Sequence, residues 1–275
     1  MGILLVSIFL IADTELLQAA EGDDVHPYLT QKFVLDTGVY FPDRKTGISV
    51  AGPVTGPNDP IDLEAQFGLD RSDETFSLNF GWRFGKKWEL AAQYFQSSGD
   101  RSITLDEDIE WRDVVFGQGS SIVAGQDFSL VRVFFGRHFQ SGERQNFGVG
   151  AGIHWVEMRV FIEGNVITGG GGNLFRTESV DAEMPLPNLG AWYMYSISPN
   201  WVVKGRVDWL SVEIGDYDGQ LTNASLGVNY QMFEHFGVGV SYNLFDLDVT
   251  ISKSDWTGRA KLTYEGLYAN LSFYW

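Results

Sequence analysis

Phe76-Ser77-Leu78-Asn79-Phe80-Gly81-Trp82-Arg83-Phe84 carries a large apolar residue at every even position and a small or polar one at nearly every odd position. A period of two marks a β-strand whose two faces meet different surroundings. The same alternation returns along the chain. Trp88-Glu89-Leu90-Ala91-Ala92-Gln93-Tyr94 keeps Glu89 on the polar side, and Phe147, Val149, Ala151, Ile153 and Trp155 alternate with Gly148, Gly150, Gly152 and His154. Trp201, Val203, Val207 and Trp209 alternate with Lys204, Arg206 and Asp208, and Leu226, Val228, Tyr230 and Met232 with Ser225, Gly227, Asn229 and Gln231. Val131, Val133, Phe135 and Phe139 follow the rule against Arg132, Gly136 and His138, with Phe134 and Arg137 breaking the composition. No comparable stretch has a helical period.

The direction of the asymmetry is more telling than its existence. A soluble barrel or sandwich buries its apolar face and covers the other with long charged residues. Here the second face is Gly, Ser, Asn and Gln with charges interspersed, and the first is large and aromatic. That is a barrel turned inside out, with lipid outside and a narrow polar interior. Closure is obligatory, because an open edge in hydrocarbon leaves backbone groups unsatisfied. Aromatics at segment ends (Trp82, Trp88, Trp155, Trp201, Phe233, Phe236) suit interface girdles. The expected fold is therefore all-β, a transmembrane antiparallel up-and-down β-barrel, with a soluble lipocalin-like binder as the rival.

Gly85-Lys86-Lys87, Gln140 to Arg144, Ser198-Pro199-Asn200 and Phe233-Glu234-His235 read as short turns, expected on the periplasmic side. Pro42 to Pro60, Ser97 to Gln126, Glu163 to Arg176, Gly215 to Gly219 and Lys253 to Gly258 read as the extracellular links. Strands then begin near residues 31, 74, 87, 127, 145, 187, 200, 220, 235 and 262. The expected count is about 10, with 8 to 12 as the limits, at about 9–11 membrane residues per strand. Ile61 to Leu69 also alternates, in the opposite parity to residues 76–84. It is expected either to join them through a bulge near Arg71 to Glu74 or to form a further hairpin that raises the count to twelve.

The last strand, Leu267-Tyr268-Ala269-Asn270-Leu271-Ser272-Phe273-Tyr274-Trp275, ends an alternating series on an aromatic residue. It resembles the closing strand of Gram-negative outer-membrane barrels, which their assembly machinery reads. Over residues 31–275 the chain resembles the small outer-membrane β-barrel families of proteobacteria. The resemblance implies location in the outer membrane, outer-membrane lipid and lipopolysaccharide as surroundings, and the barrel-assembly machinery as a partner. It makes Leu271, Phe273 and Trp275 the assembly signal.

Upstream, Ile3 to Ala12 has the length of a secretory apolar region and Gln18-Ala19-Ala20 offers small residues for cleavage. Residues 1–20 are accordingly expected to be a signal peptide, 21–30 a periplasmic N-terminal segment and 31–275 the barrel. The absence of cysteine excludes a disulfide scaffold and thiolate metal sites. A formal charge of −17 with no strongly basic stretch argues against nucleic acid as a partner.

Catalytic chemistry finds little support. The four histidines, His26, His138, His154 and His235, show no metal-ligand spacing. Lipid-A deacylases resemble one another in a His and a Ser two residues apart on a strand, but here His138 and Ser141 are three apart. Proteases of the omptin type need a His–Asp pair at the extracellular rim. Gly148-Val149-Gly150-Ala151-Gly152 lacks the helix that a dinucleotide loop requires, and reads as lumen-facing glycines that leave room in a narrow barrel. The acidic stretch Asp106 to Asp113 fits a solvated hairpin arm, or else a carboxylate cluster holding divalent cations near lipopolysaccharide phosphates. No enzymatic activity, cofactor or metal is expected.

Parity puts Lys32, Asp36, Arg83, Glu89, Arg132, Lys204, Arg206 and Asp208 on the interior face. In so narrow a space they should pair, with Arg83 and Glu89 joined across the Gly85–Lys87 turn, Asp36 taking one of the remaining cations, and Asp208 relieving Lys204 and Arg206. The expected function is a structural barrel or a narrow passive passage for small solutes, of low conductance. The alternatives are a barrel-borne enzyme acting on lipid A or peptides and a surface-binding barrel.

Overall fold

The computed structural model describes residues 25–51, 61–72, 74–85, 87–111, 114–140, 143–167, 173–214, 217–252 and 257–275. The expected signal peptide, residues 1–20, lies outside them. After a short helix α1 (Pro27–Thr30) the chain forms β1 (Phe33–Ala51), β2 (Ile61–Asp62), α2 (Leu63–Gln66), β3 (Thr75–Phe84) and β4 (Trp88–Thr104). There follow β5 (Ile109–Trp111), β6 (Val114–Phe116), β7 (Ser121–Gln140), β8 (Gln145–Ile167) and β9 (Asn173–Ser198). The last four are β10 (Trp201–Ile214), β11 (Tyr217–Phe233), β12 (Phe236–Ser252) and β13 (Thr257–Tyr274). Among the described residues ten strands, each antiparallel to its neighbours, make the barrel, and β2 is an extra strand on β1. Closure comes from β1 against β13, in unbroken register from Val34↔Tyr274 to Ala51↔Thr257.

The strands are longer than their membrane-like portions imply. In their described residues, the expected links Pro42 to Pro60, Ser97 to Gln126 and Glu163 to Arg176 are largely strand: β1, β4 and β8 run on to Ala51, Thr104 and Ile167, while β7 and β9 already begin at Ser121 and Asn173. Ile61 to Leu69 forms neither the expected bulged extension nor a further hairpin pair. Ile61 and Asp62 pair with β1 at Ile48 and Gly47. The Asp62 carboxylate then accepts from Ala65 N at 2.7 Å, an N-cap that starts α2 and turns Leu63 and Phe67 into the lumen.

The extra length has its own chemistry. Tyr94, Val131, Trp155 and Pro185 are successive cross-strand partners that face outward on β4, β7, β8 and β9. The next outward row is Gln96, Ser129, Glu157 and Glu183. Within one row the outside passes from apolar to polar. The inside passes the opposite way at nearly the same height: Arg132 and His154 are partners below, Leu130, Val156 and Met184 above. Parity never changes along these strands, only the chemistry that it carries. The cause is the solvent outside. Where hydrocarbon surrounds the wall, apolar side chains face out; where water does, the hydrophobic effect sends them in. On β1 the outward run from Phe33 to Phe41, apolar except for Thr37, covers eight residue steps, about 27 Å along a strand and roughly 20 Å of height once tilted, near the usual band of about 25 Å.

The loop end of the lumen is therefore packed. Leu63, Phe67, Trp111 and Phe116, from α2 and the β5–β6 hairpin, are fully buried among Phe128, Ile162, Leu221, Leu247 and Leu262 of the wall. Each such side chain contributes about 1.5–3 kcal/mol on burial. One ion pair pins this plug: Arg44 Nε lies 3.1 Å from Glu64 Oε1, both side chains 1% exposed. Glu64 Oε2 accepts from Thr46 N at 2.6 Å, and Arg44 donates to Asp70 O at 2.7 Å. At the turn end α1 occupies the mouth, where Tyr28 packs edge-on against Tyr274 at 5.4 Å. Phe33 and Trp275 exchange both backbone hydrogen bonds there.

Height on the wall should therefore decide the cost of an outward charge. Leu78→Arg, in the apolar band, is expected to cost about 2–4 kcal/mol, and Gln220→Arg, outward but above it, about 0–1 kcal/mol. Denaturant unfolding followed by heat-modifiable gel migration checks this; equal costs would contradict the two-solvent wall.

Candidate functional site: the polar chamber

Between the apolar plug and α1 the lumen keeps a cavity of about 150 Å³. Its wall is built from the inward positions of the band-level strands. Glycines make the space: a Cβ at Gly148 would stand 2.0 Å from the Trp192 ring, and one at Gly190 2.0 Å from Asp208 Oδ1. Trp192 and Phe134 fill the room so made, ring edge to ring face at 5.9 Å. Phe134 thus keeps the inward parity of its strand, and Arg137 keeps the outward one, its guanidinium lying 5.7 Å from the Trp88 ring and 5.4 Å from that of Phe139.

The charged side chains form three groups. Nearest the turns, Arg83 Nε is 3.3 Å from Glu89 Oε2, with the two residues direct partners across the β3–β4 hairpin. Arg83 also donates to Gln31 O at 3.2 Å. His138 Nε2 lies 3.1 Å from the same Glu89 oxygen, and its Nδ1 2.7 Å from Asn146 Oδ1. The second group surrounds Asp36. Lys204 Nζ approaches it to 2.9 Å, Ser272 donates to it at 2.6 Å, and Tyr28 donates its hydroxyl from α1. Asp208, fully buried, anchors the third: Arg206 grips it through two nitrogens at 3.0 and 2.8 Å, and Arg132 donates from across the lumen at 2.7 Å. The Arg206 guanidinium rests 4.0 Å from the Phe134 ring centre, an added cation–π stabilisation.

Seven of the eight interior charges thus meet in ion pairs. Asp208 joins Arg206 to Arg132 and not to Lys204, whose partner is Asp36. Lys32 stands apart at the exposed mouth, its ammonium 5.3 Å from the Phe33 ring and in no ion pair among the described residues. Leu271 and Phe273 lie on the outward face of β13, and Trp275 follows that strand, exposed.

The sequence shows His26 only as a lone histidine ahead of the barrel and gives no role to Tyr28. His26 is wholly buried, donates its backbone N–H to Ser196 Oγ at 2.9 Å, and accepts from Tyr28 N at Nδ1. Burial, with Lys204 nearby, lowers its pKa to about 4, so the docked ring is neutral near pH 7. The signal was present in the capping pattern His26-Pro27, with Pro at the first helical position, but a four-residue helix is too short to show a period.

None of the four histidines stands at the loop-end rim. His26 and His138 lie toward the turn end, His235 sits in a turn, and His154 is buried inside the wall with Nε2 3.2 Å from Asn223 Nδ2. Asp106, Glu107 and Asp108 are exposed, and Asp108 accepts from Gln118 N at 2.6 Å as a turn bond. No group of three metal-ligating side chains occurs among the described residues.

No protein-family model and no curated protein matches the sequence. Solved structures do resemble the fold. The outer membrane protease OmpT from Escherichia coli aligns with a TM-score of 0.55 at 11% identity, over 88% of this chain and 96% of that one. The toluene transporter TodX from P. putida aligns at 0.39 and 10% identity, over 90% and 91%. The attachment invasion locus protein Ail of Yersinia pestis aligns at 0.24 and 11% identity, over 85% and 97%. With the first of these, OmpT, what the chain shares is the fold.

Losing one member of a buried pair leaves the other charge uncompensated. Glu89→Gln is expected to destabilise the barrel by about 3 kcal/mol, the low end of that effect because the cavity admits solvent. The Arg83→Gln/Glu89→Gln double variant should lose less. Wild-type denaturation midpoints for both would remove the network from the stability account.

Proposed function

We propose that this chain resides in a Gram-negative outer membrane as a closed structural barrel that holds its water-exposed half at the cell surface. The observation behind this reading is the apolar plug: above band height the lumen is packed mainly with Leu, Phe and Trp, around the buried Arg44–Glu64 pair. A passive passage for small solutes needs a continuous wet path, and the plug lies across it. In planar bilayers the folded protein should therefore give no steady conductance. Deleting residues 61–72 with the 105–119 hairpin should open it. Steady single-channel steps from the intact protein would favour the passage reading instead.

A surface-binding role follows as the second reading. The β5–β6 arm is anchored by its apolar side through Ile109, Trp111 and Phe116, while Asp106, Glu107 and Asp108 face solvent. An omptin-like mechanism has no support, since no histidine is placed at the rim to pair with a carboxylate.

The same reading gives the chain outer-membrane lipid and lipopolysaccharide as surroundings, and the barrel-assembly machinery as its folding partner. Leu271, Phe273 and Trp275 would be the segment that machinery reads. Removing Trp275 should leave the chain unassembled in the periplasm; normal surface accessibility of the truncated protein would contradict that.

A further inference from the structure

The wall does not end at one height around the barrel. β9 is paired with β8 from Asn173 to Tyr195, but with β10 only as far up as Leu189, opposite Trp209. Continued without a break, that register would bring Ile214, the last residue of β10, opposite Met184. Residues 174–183 of β9 therefore overhang, and among the described residues no strand stands on their β10 side. The parting has a local cause. Pro185 and Pro187 keep their places opposite Trp155 and Ile153 of β8, so the N–H that each lacks is one that would have faced β10. Alternate residues of an antiparallel strand turn their backbone groups to alternate sides. The odd positions from Phe175 to Glu183 accordingly present five N–H donors and five carbonyls to the open edge. Natural edges are blunted by proline, bulges or covering segments, yet residues 174–183 hold neither proline nor bulge.

A second observation lies beside that edge and is independent of it. Just above the apolar band the outer wall carries a groove of about 620 Å³. Asp127, Glu157, Asp181 and Glu183 line it against one cation, Arg159, which leaves a net charge of −3. Asp181 and Glu183 belong to the edge itself, with their side chains on the outward face. Arg159 reaches Asp181 at 3.7 Å with the two side chains 50% and 67% exposed. The other three carboxylates are in no ion pair among the described residues.

We infer that residues 174–183 of β9 dock an extended, basic peptide segment of another protein, added to the wall as a further strand. The inference rests on the reading that the upper wall stands in water, and it names the partner class for the surface-binding role. The edge supplies backbone hydrogen bonds, and the groove supplies the choice of partner. An added strand lies about 4.8 Å from β9, so its outward side chains stand beside Asp181 and Glu183. Opposite charges directly across a strand pair attract and like charges repel, which selects Lys or Arg at alternate positions. By the same rule a chain of formal charge −17 is a poor partner for itself. The overhang spans about 33 Å of strand, room for a segment of roughly ten residues.

The test uses the full folded protein in detergent and the synthetic peptide (Lys-Thr)5. Its controls are (Glu-Thr)5 and (Lys-Thr)5 N-methylated at each lysine, which keeps the charge and loses the donors that would face β9. Only the unmodified (Lys-Thr)5 should bind saturably and slow hydrogen exchange across residues 174–183. Thr177→Pro removes one edge donor by the means the chain itself uses at Pro185 and Pro187, and should weaken binding by about tenfold. Thr177→Val keeps the donor and should keep the affinity. Asp181→Asn with Glu183→Gln should weaken binding by about fivefold. All three variants should retain heat-modifiable migration. Equal binding of the N-methylated peptide, or full-strength binding by Thr177→Pro, would mean adhesion by charge alone and overturn the inference. Ser179→Cys, probed with a water-soluble maleimide in intact membranes, tests the underlying reading separately. Labelling there without saturable binding of (Lys-Thr)5 would overturn the docking site alone; absence of labelling would overturn the reading with it.

Discussion

One constraint organises this protein: a β-strand offers its wall two faces and only two, while the barrel passes through two solvents. Each strand must put apolar residues outward at one height and inward at another without changing parity. The β8 strand does this in a single run, with Phe147 to Trp155 outward at band height and Val156 to Ile162 inward above it. A bulge could exchange the faces, but none is used there. The side chains exchange instead.

The rest follows from that exchange. Because the upper interior is apolar, α2 and the β5–β6 hairpin find a surface to pack against and close the loop end. Because the lower interior needs no apolar core, it accepts seven charged residues in ion pairs and glycines that give Trp192 and Phe134 their space. The buried Arg44–Glu64 pair sits where the two regimes are joined. Such pairs add little net stability but penalise alternative placements, which suits an element that must enter a barrel in one orientation.

The band-level half of this architecture was legible from sequence, because large aromatics against Gly and Asn contrast sharply over nine or more residues. Placement inside the lumen followed from parity alone for Asp36, Arg83, Glu89, Arg132, Lys204, Arg206 and Asp208. Partner choice across the lumen did not. Asp208 on β10 meets Arg132 on β7, three strands along the wall, past β8 and β9, where Gly150 and Gly190 leave the interior open, and nothing local encodes that distance around the wall. The upper half looks like loops in the sequence, because apolar residues mark the outward face only at band height, and Glu157, Arg159 and Glu163 alternating with Val156, Met158 and Ile162 look like interruption. The plug was hidden for a related reason: Leu63, Phe67 and Trp111 sit in short acidic segments whose polar residues dominate the pattern.

The exchange of faces can be measured along β8, since the chain has no cysteine. Single cysteines at each position from 147 to 163, probed in intact membranes with a water-soluble maleimide, would report exposure residue by residue. The account predicts protection at the outward positions 147 to 155, reaction at 157, 159 and 163, and protection at the inward positions 156 to 162. Reaction at 156, 158, 160 and 162 with protection at 157, 159 and 163 would mean that hydrocarbon surrounds the whole wall, and would contradict it.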